Sequence, residues 1–197
     1  MWTYKFLNCQ QPPQKFIDLA LTADPVQYGS RSTTNYYKPG KDPIAKRHLT
    51  SCGQEKKSIR LPKYDMPEEF ANWVRNHITD KFLEAAVALS DKGNGGGLGP
   101  HTDRARDYCL MYVIKSGGDH VRTSFWQERQ QPLVRRRFTF IDNYDMLELI
   151  DEGNFKEGRW LVMNTLILHS LENVQDRRIA FQITIDHDIS DLEKFFI

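Results

Sequence analysis

The spacing of apolar positions changes once along the chain, and the change divides it. In the first half Phe70, Trp73, Val74, Ile78, Phe82, Leu83, Ala86 and Val87 recur at helical intervals, which predicts one long amphipathic helix over 66–89. Asp65, Pro67 and Glu68 ahead of it supply an N-cap acid, an early proline and a first-turn acid. Further upstream "WTYKFL" has the composition of an opening strand, and 12–23 ("PPQKFIDLALTA") that of a short helix entered through prolines. Between them, 24–62 carries mixed signals around the turn "KPGKDP".

Beyond Gly95 the period shortens. "DYCLMYVIK", "VRTSFWQE", "RRFTFID", "RWLVMNTLIL" and "RRIAFQITID" are rich in aromatic and β-branched residues and separated by turn chemistry such as Ser116-Gly117-Gly118. "NYDMLELIDEG" is expected to insert a helical turn or two. Helices followed by strands predict an α+β domain in which helices back an antiparallel sandwich or barrel. No linker divides the chain, so 1–197 is expected to form a single domain, with 1–92 mainly helical support and 93–188 the β core.

Composition narrows the function classes. The 197 residues carry a formal charge of +1, so no overall field recruits nucleic acid or a membrane surface. There is no uninterrupted apolar run of membrane-spanning length, and the first residues lack the pattern of a secretory signal. Cys9, Cys52 and Cys109 are odd in number and far apart, which suits reduced thiols in a cytoplasmic protein.

The chemistry concentrates at His101-Thr102-Asp103, where the glycine run "GNGGGLG" gives way to regular structure. Side chains two apart in an extended segment point the same way, so an imidazole nitrogen and a carboxylate oxygen can reach one ion. His169 ends the apolar run "GRWLVMNTLILH", and Arg177 and Arg178 open the next predicted strand. Two imidazoles and a carboxylate on a β scaffold form the facial donor set of non-haem Fe(II) sites, with three positions left open. A nearby arginine offers a planar fork for a carboxylate. Strand parity chooses between the two arginines: Arg178, Ala180, Gln182 and Thr184 share a polar face, whereas Ile179, Phe181, Ile183 and Ile185 share an apolar one. Arg178 is therefore the candidate, with Arg177 directed outward.

His101-x-Asp103, His169 and Arg178-x-Ala180 resemble the His-x-Asp, His and Arg-x-Ser pattern of the Fe(II)/2-oxoglutarate-dependent dioxygenases. The likeness spans about 95–186 and lies nearest the prolyl-hydroxylase-like and phage-type members. It implies a double-stranded β-helix (jelly roll) backed by N-terminal helices. It also implies Fe(II) on His101, Asp103 and His169, with 2-oxoglutarate paired through its far carboxylate to Arg178. O2 would be the other reactant, succinate and CO2 the products, and a small molecule or protein side chain the hydroxylated substrate. In this family a hydroxyl often helps the arginine, and Tyr108, Tyr112 and Thr123 are the candidates here. The carboxylate at Asp103 departs from the halogenase variant. Ala180 and Thr184 depart from the nucleic-acid demethylases, which carry Asn and Arg there. Collagen-type prolyl hydroxylases often have lysine at the place of Arg178.

Other residues read more plainly. Arg135-Arg136-Arg137 is a solvated charge run unless 127–137 forms a lid, and 28–47 is the other segment that could read a substrate. Phe125 and Trp126 are expected in the core, and His120 and His187 at the surface. "GNGGGLG" lacks the Lys-Ser/Thr of a phosphate loop. Two other functions remain open: a cupin-type metal-binding jelly roll without oxygenase activity, and a noncatalytic interaction domain using the arginine run.

Overall fold

The computed structural model describes residues 1–22, 63–90, 98–103, 106–134, 139, 141 and 143–197, with only the backbone of 63–65. Among the described residues, ten strands build two antiparallel sheets. They are β1 (Tyr4–Leu7), β2 (Lys63–Asp65), β3 (Glu84–Ser90), β4 (Leu98–His101), β5 (Tyr108–Lys115), β6 (Arg122–Glu128), β7 (Leu147–Gly153), β8 (Trp160–Asn164), β9 (Leu168–Glu172) and β10 (Arg178–Ile185). The larger sheet runs β1-β8-β5-β10-β3-β2 and the smaller β4-β9-β6-β7. The helices among the described residues are α1 (Gln14–Leu21), α2 (Glu68–His77) and the single-turn α3 (Ser190–Glu193), with a 3-10 turn at Tyr144–Met146. Among the described residues no helix is long and apolar enough to cross a membrane.

The larger sheet is buried on both faces, and strand parity sorts its side chains between two cores. Leu110, Tyr112, Ile114, Trp160, Val162, Ile179, Phe181 and Ile183 face outward beneath the helices, where Phe16, Phe70, Trp73 and Val74 cover them. Cys109, Met111, Val113, Leu161, Met163 and Ala180 face inward and pack with Phe125, Phe155 and Ile167. The contact between Phe70 of α2 and Phe181 of β10, with ring centroids 4.5 Å apart, fastens α2 to the centre of the sheet.

The long helix expected over 66–89 is corrected. It stops at His77, and residues 84–90 form β3 instead. "EAAVALS" lies between β10 and β2 with both faces covered, so Ala85, Ala86, Val87, Ala88 and Leu89 are all apolar and no alternation marks it as a strand. Alanine's helical preference gives way there to a full ladder with β10, from Arg178↔Ser90 to Thr184↔Glu84. The break falls at Thr79, whose hydroxyl accepts from the Lys81 amide at 3.0 Å and so competes with helical hydrogen bonding. Asp65 does not cap the helix: it ends β2, and α2 begins after Pro67 with no side-chain cap.

The division into a helical first part and a β second part is corrected with it. Among the described residues before 93, β1, β2 and β3 join the larger sheet beside α1 and α2. The run "RWLVMNTLIL" is two strands, β8 and β9, turned by Asn164, whose side-chain oxygen accepts from the Leu166 amide at 3.1 Å. "NYDMLELIDEG" supplies the 3-10 turn and then β7. The mixed segment 24–62 and most of "RRFTFID" lie outside the described residues.

Phe181 is fully buried against Phe70 and Tyr112. Phe181→Ala is expected to cost about 3–5 kcal/mol in urea unfolding. A loss below about 1 kcal/mol would show that α2 does not hold this sheet.

Candidate metal centre

The register of the smaller sheet brings the two histidines together. His101 ends β4 and pairs directly with His169 on β9, their ring centroids 4.4 Å apart. His169 is thus the second residue of β9, where the sequence had suggested the end of a single long strand. Each ring is oriented from behind: Nδ1 of His101 donates to the Gly99 carbonyl at 2.7 Å, and Nδ1 of His169 to the Ile167 carbonyl at 2.9 Å. Carbonyls only accept, so Nδ1 of each ring carries a proton, and Nε2 is the atom that a neutral ring offers to a ligand.

Asp103 lies in the loop after β4 and turns Oδ1 toward both rings, 3.5 Å from Nε2 of His101 and 3.9 Å from Nε2 of His169. Donor atoms bound side by side at 2.0–2.2 Å to one ion stand about 3 Å apart. The three residues could therefore hold a metal ion with small movements, and they are the set of that kind among the described residues. Two nitrogens and a carboxylate oxygen suit a divalent first-row transition metal, Fe(II) included.

The loop that carries Asp103 is tied to the β8–β9 turn through Thr165. Its carbonyl accepts from the Asp103 amide at 3.1 Å, its amide donates to the Asp107 carbonyl at 2.8 Å, and its hydroxyl donates to the Arg106 carbonyl at 3.0 Å. A polar residue inside an apolar run gave no sign of this role in the sequence.

Electrostatics keep the donors ready. Burial, followed by the neighbouring His101, pushes the His169 imidazolium down to about 4, so the ring is neutral at pH 7. Burial alone would raise the Asp103 carboxyl, but Arg106, then His101 and His169, hold it well below the usual range. Arg106 is buried, and its Nε donates to Oδ2 of Asp103 while Nη2 donates to Oε1 of Gln182 at 3.2 Å. Burial would lower its guanidinium, yet the paired Asp103 raises it above the ordinary value.

These residues line one pocket between the sheets, which opens in part to solvent. Leu98, Met111, Met163, Ala88 and Ala180 form apolar walls, and Thr123 and Gln182 contribute polar atoms. Arg178 also lines it. The side chain is buried, donates through Nη1 to the Ser116 carbonyl at 3.1 Å, and faces no carboxylate among the described residues. Burial pushes its guanidinium down to about 10. Gly117 makes room for it: at φ +85°, an added Cβ would meet Cβ of Arg178 at 2.8 Å. Arg177 precedes β10 and is half-buried.

Two candidates leave the site. Tyr112 sits on the outer face of β5, against Trp160 and Phe181, and its hydroxyl donates to Gln11 at 2.7 Å. Parity along β5 sends Met111 to the pocket and Tyr112 to the helices, so its place as a cofactor residue is corrected. Tyr108 shares that outer face, its ring tilted against Trp2 with centroids 5.7 Å apart. Thr123 remains in the pocket, joined by Ser90, which pairs across strands with Arg178. Among the described residues, two buried side-chain atoms lack a hydrogen-bond partner, Ser90 Oγ and Arg106 Nη1, and both residues line this pocket. The sequence pointed to neither, because Ser90 follows the stretch that reads as helix and Arg106 falls in a loop.

His120 and His187 are exposed, Phe125 is core, and Trp126 donates to the Ser170 hydroxyl at 2.8 Å. The segments 28–47 and 135–137 lie outside the described residues.

No family model matches the chain, and no curated protein does. Among solved structures that match is E. coli ycfD, with 16% identity and a TM-score of 0.36. That alignment covers 58% of this chain and 28% of ycfD.

Proposed function

We propose that the protein is an Fe(II)- and 2-oxoglutarate-dependent oxygenase that hydroxylates a small molecule or a protein side chain. In this reading the two-sheet sandwich is a double-stranded β-helix with the reaction site between its sheets. The observation that carries it is a combination within one pocket: a His-Asp-His donor set and a buried Arg178 with no acidic partner among the described residues. A buried guanidinium without a counter-charge is costly, and a bound carboxylate would offset that cost.

Each residue then has a defined task. Nε2 of His101, Nε2 of His169 and Oδ1 of Asp103 would hold the iron. Arg178 would grip the far carboxylate of 2-oxoglutarate through its planar fork, and the adjacent Ser90 hydroxyl would donate to the same group. Leu98, Met111 and Met163 would exclude water from the reacting centre. The chemistry supplied there is oxidative decarboxylation of 2-oxoglutarate to succinate and CO2, one oxygen atom of O2 entering succinate and the other the substrate as hydroxyl.

Turnover of 2-oxoglutarate with Fe(II), scored as succinate formed, tests this reading. Metal binding without succinate formation would instead favour a cupin-type metal-binding jelly roll. Mn(II) titration should give one site in the wild type and a loss of at least tenfold in affinity for His169→Ala. Equal affinity in the two proteins would remove His169 from the ligand set.

Arg178→Ala is expected to raise the KM for 2-oxoglutarate about thirtyfold or more, from a loss of roughly 2–5 kcal/mol. Arg177→Ala should change it less than about threefold. Tyr112→Phe should leave it unchanged. Similar small effects from both arginines would rule out Arg178 as the carboxylate partner.

The metal-free protein should be sensitive to acid. The folded-state pKa of His169 is about 4, below its ordinary 6.5, so the unfolded chain binds more protons between those values. Stability is therefore complete above about pH 6.5 and falls by up to about 3 kcal/mol as pH drops toward 4. Urea unfolding across this range should show the loss in the wild type and a smaller one in His169→Gln; parallel curves would contradict the assignment.

A further inference from the structure

We infer that Arg106 is a positioning residue that restricts Asp103 to one metal-binding oxygen, keeping a coordination position open for exogenous ligands. The inference rests on the metal-centre reading above and concerns a residue outside the donor set.

A carboxylate can bind an ion through one oxygen or both, and an acid beside two imidazoles has a choice. Here the choice is constrained from the side away from the histidines. Oδ1 of Asp103 faces Nε2 of His101 and of His169, while Oδ2 accepts from Nε of Arg106. Rotating the carboxylate to offer both oxygens would break that charge-assisted bond in a buried setting, where it is strongest. The guanidinium is itself held. Nη2 donates to Gln182 on β10, and the backbone carbonyl of Arg106 accepts from the Thr165 hydroxyl. Nη1 has no partner among the described residues, so the side chain is kept in place despite an unsatisfied donor. Such a cost is tolerated where a geometry is being enforced.

Arg106 also has an electrostatic effect of opposite sign. Its positive charge, close to the ion, weakens attraction for a divalent cation. Removing it should therefore release Asp103 to bind through both oxygens without weakening the metal. A merely structural arginine would give the reverse: lower metal affinity, lower stability and unchanged coordination.

Water-proton relaxation by bound Mn(II) distinguishes the two, because it counts waters on the ion without requiring turnover. Three protein donor atoms leave three positions, and a second Asp103 oxygen leaves two. Arg106→Gln is expected to lower the relaxivity of the bound ion by about a third, with Mn(II) affinity equal to or tighter than wild type. Arg106→Lys, which restores a cation able to reach Oδ2, should recover most of the wild-type relaxivity. Unchanged relaxivity in Arg106→Gln, or Mn(II) affinity reduced tenfold with no change in relaxivity, would overturn the inference.

Should Arg106→Gln fail to fold, a crystal structure of the wild type with Mn(II) decides the matter. One Asp103 oxygen on the ion, with Nε of Arg106 on the other, supports the assignment; two oxygens on the ion refute it. A wild type that binds no Mn(II) would remove the metal-centre reading and this one together. Mn(II) binding with altered relaxivity in Arg106→Gln but no succinate formation would leave the Arg106 role intact and discard the oxygenase reading alone.

Discussion

The pairing of β4 with β9 is the constraint on which the site depends. With His101 opposite His169, the rings share a face and a height on the sheet. A slip of one residue would turn one imidazole to the opposite face and leave no donor pair. Much of the surrounding structure fixes this register. Thr165 ties the turn before β9 to the loop after β4, and carbonyls of Gly99 and Ile167 hold the rings by their Nδ1 atoms.

The larger sheet supplies the opposite wall, and its two-sided burial explains how it does so. Each central strand sends one set of side chains to the helices and the other to the pocket. Phe181 and Arg178 can therefore occupy the same strand with opposed tasks, one in an apolar core and the other in a polar cleft. The separation of water-excluding and ligand-binding roles follows from pleating alone.

How far the sequence revealed this arrangement depends on the local pattern. β10 alternates apolar and polar residues, so its parity could be read and the choice of Arg178 made from it. The middle of β3, from Ala85 to Leu89, is apolar on both faces, so the same reasoning had nothing to measure and alanine content suggested helix. His101, Asp103 and His169 were visible because imidazole and carboxylate carry chemistry wherever they stand. Arg106, Ser90 and Thr165 have ordinary side chains whose significance comes from neighbours distant in sequence. Tyr112 was misplaced for want of a register along β5: only the pairing with β10 and β8 shows which of its residues face the helices.

The position of β10 has a consequence for biosynthesis. It lies between β5 and β3 in the larger sheet, although it is the last strand in chain order. Before 178–185 leave the ribosome, β5 with β8 and β1 on one side and β3 with β2 on the other have no common partner. Any half-sheet formed before that strand is added has an open inner edge, and such edges invite pairing with other chains. Insertion of one late strand closes both edges at once and delivers Arg178 to the pocket in the same event. Completion of the site is thereby coupled to insertion of β10, and a chain stalled before that strand would possess the metal donors but neither Arg178 nor the strand that joins the two half-sheets.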